Sequence, residues 1–362
     1  MRARKLGSCL VLLLVLVLLP RAAQADEVDR FVRAKMQEQQ LPGAAFAVMR
    51  RGEVLREGAY GFASLELGVP ASTGTVFQVG SITKQFAARA ILMLADEGKL
   101  RIHDPVSLYL SRTPDTWSGI TLYHLLTHTS GIPNWVGMED FSFHRDYTER
   151  EFLALFAQKP LEFRPGERFQ YSSAAYSLLS LVIERVSGKA FEDFLRERIF
   201  HPAGMESTRI NDTVTLVPGR AQGYVIRNGG IQNAVNVRPR ITASSGAVLT
   251  TIGDLARYER ALLKGAQLSR ASENLQLKPV RLNNGQTYHY GMGWYLRDAA
   301  KVDIVYHTGT TAAGFRAAYL RHLTSGLSVV FVCNASGDGV EPLPIAEGLA
   351  RLYLDRMVEV SQ

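Results

Sequence analysis

Ser81 and Lys84 are the side chains of this sequence whose types and spacing are best suited to chemistry. On a helix, residues three apart lie about 5–6 Å from each other at Cβ. An amine at that range can draw the proton from a hydroxyl and turn it into a nucleophile. The run from Ser81 to Glu97, stopped by Gly98, has helical periodicity, and Ser81 and Lys84 share a stripe with Ala88, Ile91 and Ala95 while Gln85 and Arg89 lie elsewhere. A lysine on an apolar stripe is costly unless it has a partner or a task. Ser81, following Gly80 at the positive end of the helix, is placed where a developing alkoxide is favoured. A structural role competes for the same residues, because serine is a preferred N-cap.

Other constellations are weaker. His124 and His128 have i, i+4 spacing, but Leu125-Leu126-Thr127 between them lacks the glutamate of a zinc-protease helix and no third ligand is evident, so no metal is expected. His128 is read as part of a turn, where a helix from Thr121 to about Thr127 runs out toward Gly131 and Pro133. Gly291-Met292-Gly293 lacks the third glycine and the strand-helix setting of a dinucleotide fingerprint, so no nucleotide cofactor is expected. No Gly-x-Ser-x-Gly occurs, which argues against the nucleophile elbow of α/β hydrolases. Cys333 ends the β-branched run Leu327–Cys333 and reads as a buried strand residue.

The elements that must position these groups can be sketched from patterning. An amphipathic helix is expected over Asp26–Gln40, ended by Pro42-Gly43, and a hairpin over Ala44–Arg50 and Val54–Tyr60. A helix over Ala174–Val186 follows the turn signal Arg164-Pro165-Gly166. Strands are expected at Met292–Leu296, Val302–Tyr306, Phe315–Leu320 and Leu327–Cys333, then a helix over Ile345–Val358. Strands at both ends and helices between predict an α+β fold, with one antiparallel sheet built from both chain ends, helices packed on it and a mainly helical lobe inserted. The expected division is a sheet lobe of about 26–100 and 245–362 and a helical lobe of about 101–244.

Composition bounds the function classes. The chain has 362 residues, 46% hydrophobic and 21% charged, with a net charge of +7 and two cysteines, which excludes disordered and disulfide-framework proteins. Arg2, Arg4 and Lys5 precede the apolar run Cys9–Leu19, and Ala23-Gln24-Ala25 offers a small-x-small processing site. This is the pattern of a secretory leader, residues 1–25, and the run is too short for the roughly 20 apolar residues of a membrane span. Cleavage there would remove four basic residues and no acid, leaving +3 on residues 26–362. The expectation is therefore an exported protein, periplasmic or secreted, with no stable membrane anchor and no nucleic-acid partner. Cys333 would have no intrachain disulfide partner.

Several segments, taken in order, carry a resemblance. Phe77-Gln-Val-Gly-Ser81-Ile-Thr-Lys84-Gln-Phe86, Leu125-Leu-Thr-His128-Thr-Ser-Gly131-Ile-Pro133, Tyr171-Ser-Ser173 and His307-Thr-Gly309-Thr310 are spaced as in the serine β-lactamase and penicillin-binding protein superfamily. The sequence most resembles its class C β-lactamase and D-alanyl-D-alanine carboxypeptidase branch, which also includes esterases of this fold. Phe200–Met205, Gly246–Thr251 and Tyr290–Trp294 extend the similarity from about Leu41 to Ser336. The resemblance implies Ser81 as the acylated nucleophile, Lys84 as its base, and Tyr171 as the proton relay to the leaving group, with a phenol whose pKa falls from about 10. It implies an oxyanion hole from the N–H groups of Ser81 and Thr310, and substrate contacts from Ser173, His307, Thr308 and Gly309. No cofactor is called for.

Two departures bear on substrate. His307 stands where many β-lactamases have lysine, a softer partner for a carboxylate. Ser173 replaces the usual asparagine and presents less to a substrate amide. The expected function is a serine hydrolase acting on small molecules or peptidoglycan-derived D-peptides, or on esters. The alternatives are a class C β-lactamase and a penicillin-sensing or peptidoglycan-binding protein that acylates without turnover.

Overall fold

The computed structural model describes residues 19–235, 237, 242–265 and 267–359. The first 18 residues of the expected leader lie outside the described residues. Helix α1 (Leu19–Glu38) leads into strands β1 (Gly43–Arg50), β2 (Glu53–Ser64) and β3 (Val69–Pro70). Helix α2 (Thr83–Asp96) follows, then α3 (Leu122–Leu126), α4 (Ser173–Ser187) and α5 (Ile252–Lys264). Strands β4 (Tyr295–Leu296), β5 (Ile304–Thr311), β6 (Phe315–His322) and β7 (Leu327–Cys333) precede the C-terminal α6 (Pro342–Glu359).

The seven strands form one sheet in the order β4-β5-β6-β7-β1-β2-β3. β1 pairs antiparallel with β7 from Ala44 opposite Cys333 to Arg50 opposite Leu327, so strands from the two ends of the chain meet at its centre. With period 2, β1 sends Ala44, Phe46 and Val48 to one face and Ala45, Ala47 and Met49 to the other, and both faces are buried. The first face is covered by α1 and α6 through Val28, Val32, Ile345 and Leu349. The second carries α5 and the helical core around α2 and α4. This is the α+β arrangement expected from the patterning.

Element ends differ from the sequence reading in instructive places. β5 runs five residues past Tyr306 to Thr311, because pairing with β6 carries it on through the polar His307-Thr308-Gly309-Thr310. Only Tyr295–Leu296 of the expected Met292–Leu296 is strand, since Gly293 turns the chain at a φ of +81°. The helix expected from Ser81 begins at Thr83, and Ser81 lies in a preceding 3-10 turn, Gly80–Ile82, without capping it. α2 is buried around its whole circumference as far as Leu94, so Gln85 and Arg89 are as enclosed as Lys84 and the apolar stripe does not mark one inward face. Gly131 is not the end of α3. Its φ of +75° and lack of a Cβ let it lie against the Phe163 carbonyl, which a methyl group would meet at 2.0 Å.

Candidate active site

The turn holding Ser81 is pinned on two sides. Phe77–Gln78 pairs with Leu249–Thr250, Val79 N–H donates to the Val248 carbonyl (3.0 Å), and Gln78 Nε2 donates to the Gly246 carbonyl (2.9 Å). On the other side β5 passes so closely that a Cβ on Gly80 would stand 2.6 Å from Thr310 N, and one on Gly309 would stand 1.9 Å from the Val79 carbonyl oxygen. Gly80 also has a φ of +55°. Two glycines therefore permit the contact that brings Thr310 alongside Ser81. Ser81 is half-buried and Thr310 exposed, so the junction opens to solvent.

Lys84, in the first turn of α2, has no exposed surface. Its Nζ donates to Ser81 Oγ at 3.0 Å and to the Ser245 carbonyl at 2.7 Å, and it lies over the rings of Tyr171 (4.9 Å) and Tyr176 (5.6 Å). None of these partners is a carboxylate. Burial, with no counter-charge among the described residues, holds the amine well below the usual lysine range and so favours its neutral, proton-accepting form.

Tyr171 precedes α4, whose first N–H groups are capped by Ser172 Oγ, accepting from Ala175 N (3.2 Å), and by Asn134 Oδ1, accepting from Ser173 N (3.2 Å) and Ala174 N (3.3 Å). Among the described residues its buried hydroxyl meets no hydrogen-bond partner of good geometry. Burial pushes this phenol well above its usual range, and the neighbouring Ser81 hydroxyl offsets only part of that. The expectation of a lowered tyrosine pKa is thus corrected: desolvation of the phenol outweighs what its neighbours offer a phenolate. Ser173 is half-buried at the first position of α4, and Thr308 is half-buried on β5 between His307 and Gly309.

Sequence reading missed the floor of the site. His128 does occupy a turn, at a φ of +58°, but its imidazole is buried against Tyr171, with ring centroids 4.3 Å apart. It accepts from Ser172 N at Nδ1 (3.1 Å) and meets Tyr290 Oη through Nε2 (3.2 Å). Tyr290 Oη in turn lies 3.3 Å from His307 Nε2, and His307 Nδ1 lies 2.7 Å from its neighbour's Thr308 carbonyl. Burial first, and then the nearness of the Lys84 amine, push the His307 imidazole down to about 3. Tyr290 belongs to a segment that carries the resemblance and Ser245 directly precedes another, yet no local pattern marks them as neighbours of His128 and Lys84, more than 100 positions away.

The competing histidine pair is otherwise engaged. His124 Nδ1 accepts from Thr121 N (3.2 Å) while Thr121 Oγ1 accepts from His124 N, a capping box at the start of α3. Cys333 is buried in β7, and burial raises its thiol to about 11, which keeps it protonated and inert.

A model of the family described as Beta-lactamase matches residues 28–351. The chain is 31% identical over 308 residues to "Penicillin-binding protein 4*" of Bacillus subtilis (strain 168), covering 79% of this chain and 67% of that protein. It is 25% identical over 327 residues to "Protein flp" of Staphylococcus aureus (strain MW2), covering 88% of this chain and 64% of that protein, so it spans about two thirds of these relatives' lengths. Among solved structures, a penicillin-binding protein from Bacillus halodurans superposes with a TM-score of 0.76 at 27% identity, over 88% of this chain and 98% of that one. The octameric penicillin-binding protein homologue from Pyrococcus abyssi gives a TM-score of 0.77 at 25% identity, over 91% and 77%. With the sheet, the Ser81–Lys84 contact and the match along most of its length, this chain belongs to the Beta-lactamase family of the serine β-lactamase and penicillin-binding protein superfamily.

Proposed function

We propose that this protein is an exported serine hydrolase that works through an acyl-Ser81 intermediate on D-alanyl-D-alanine-type peptides or on esters. The observation that carries this reading is the 3.0 Å contact between Ser81 Oγ and a fully buried Lys84 amine that has no carboxylate partner among the described residues. The neutral amine takes the Oγ proton as Oγ attacks the acyl carbon, and the oxyanion faces the N–H groups of Ser81 and Thr310. As the tetrahedral adduct collapses, Tyr171 gives its proton to the leaving group and regains one from the Lys84 ammonium. Water then attacks the acyl carbon as Lys84 takes its proton, and as the ester bond breaks Lys84 returns that proton to Ser81 Oγ, releasing the acid and restoring the serine hydroxyl and neutral amine. A neutral Tyr171 suits the donor role in the first half of this cycle.

Names of the relatives put penicillin among the ligands to try. The test is intact-mass analysis and turnover of the protein with p-nitrophenyl butyrate, a D-Ala-D-Ala peptide and a fluorescent penicillin, beside Ser81→Ala. Turnover lost by more than a thousandfold in Ser81→Ala is expected. Turnover that survives the substitution rejects the nucleophile. A lasting penicillin adduct with no turnover of any substrate would replace this reading with that of a sensor.

A further inference from the structure

The hydrogen bonds beneath the site have a fixed direction at their two ends. The Ser172 backbone N–H can only donate, so His128 Nδ1 at 3.1 Å carries no proton and Nε2 carries it. Nε2–H then donates to Tyr290 Oη at 3.2 Å. At the other end the Thr308 carbonyl can only accept, so His307 Nδ1 at 2.7 Å carries its proton. Tyr290 has one hydroxyl proton to give, and two lone pairs face it: that of Tyr176 Oη, whose own proton goes to the Leu126 carbonyl (2.8 Å), and that of His307 Nε2 at 3.3 Å. A second proton on His128 would set its Nδ1 against the Ser172 N–H, and where Tyr290 donates to His307 Nε2 a second proton there would set two donors against each other.

The groups around His307 reinforce this. Lys84 from α2, His128 from the turn after α3, Tyr171 from the loop before α4, Tyr290 from the segment before the Gly293 turn, and Tyr295 at the start of β4 face it. Tyr319 lies opposite on β6 and turns its hydroxyl away to Glu259. None of these groups facing His307 is a carboxylate that would repay the desolvation of an imidazolium.

We infer that Tyr290 is a positioning residue that holds His307 as the neutral, Nδ1-protonated imidazole, so that the His307-Thr308-Gly309 edge offers no cation and selects acyl donors whose leaving group carries no carboxylate. This rests on the acyl-serine reading and narrows it toward esters and amidated D-peptides. Burial of His307 acts in the same direction as the hydrogen bond, and Tyr290→Phe separates the two, because it removes the hydroxyl and keeps the packing.

Two readouts test it. In the first, two aryl esters share one acyl group, the leaving phenol of one bearing a carboxylate and that of the other its methyl ester, and kcat/KM is measured from pH 5 to 8. The wild type should prefer the methyl ester with a ratio that does not vary with pH. In Tyr290→Phe the ratio should move about tenfold toward the carboxylate as pH falls, because a freed His307 then gains charge. In the second, long-range 1H–15N spectra of histidine-labelled protein, assigned with His307→Gln and His128→Gln, should show an Nδ1–H His307 and an Nε2–H His128 that do not titrate in this range. His307 should titrate in Tyr290→Phe. A wild-type His307 that titrates or holds its proton on Nε2, or a Tyr290→Phe protein in which His307 still does not titrate, overturns the inference. Failure of both esters to turn over in the wild type would instead strike the hydrolase reading, and the spectra would still decide the inference.

Discussion

Lys84 sits in its neutral form at a cost to the fold, and that cost is what makes it a base. Its amine has no counter-ion among the described residues, and its pKa is depressed by burial. The unfolded chain, with an ordinary lysine near 10.4, therefore binds a proton that the native protein does not, and stability rises with pH between the depressed native value and the unfolded one. Replacing the amine with an isosteric apolar group removes the penalty. Lys84→Met should raise the unfolding free energy at pH 7 by about 1–2 kcal/mol in urea titrations while reducing turnover by at least about a thousandfold. A loss of stability would show that the Ser245 carbonyl bond outweighs desolvation. The same shift sets the pH profile: wild-type kcat/KM should be level through neutral and alkaline pH and fall on acidification as Lys84 gains its proton. A rise only near pH 10 would mean an ordinary lysine. The pair was legible in the sequence as two functional groups three positions apart at a glycine-marked helix start. Tyr290, His128 and the Ser245 carbonyl were not, because their roles come from contacts that close across the fold.

At the scale of elements, catalysis depends on how close β5 comes to the turn at Ser81. Gly309 has an ordinary backbone conformation, so it is glycine for reasons of space alone: a methyl group there would overlap the Val79 carbonyl oxygen at 1.9 Å. Gly309→Ala should push β5 away from the turn and displace Thr310 N–H from the place where the oxyanion forms. A displacement of about 1 Å costs on the order of a hundredfold in rate. We expect kcat/KM to fall by about that factor with cooperative urea unfolding retained, and an unaltered rate would mean that Thr310 takes no part. The elements themselves were readable where local pattern and tertiary context agree, as in β7, found over Leu327–Cys333 as expected. They were misread where tertiary contact overrides pattern. β5 extends through polar residues because β6 supplies its partners, and α2 is wholly enclosed although its sequence suggests one buried stripe.

For the whole molecule, the sheet that carries His307 and Thr310 is closed by the two ends of the chain. That much followed from strand-like runs at both termini. What patterning could not show is that both faces of the central strands are buried, so that each end must also supply a helical cover. Phe46, Val48, Val329 and Phe331 are all fully enclosed on the face that α1 and α6 protect. α1 reaches that face through Val28, Val32 and Met36, and Phe31 packs against α6 at Gly348, where an added Cβ would come within 2.2 Å of the ring. All of these contacts lie after Ala25, so the proposed export cleavage leaves the cover intact. A chain beginning at Asp26 should therefore unfold at the same urea midpoint as one beginning at Leu19. A chain beginning at Gly43 exposes the apolar face, and loss of several buried aliphatic contacts, each worth about 1 kcal/mol or more, should cost at least about 3 kcal/mol. Because β1 lies between β7 and β2, the strands bearing the site should loosen with it, and esterase activity should fall together with stability. Equal midpoints for the chains starting at Asp26 and Gly43 would show that α1 is dispensable, and that α6 alone covers this side of the sheet.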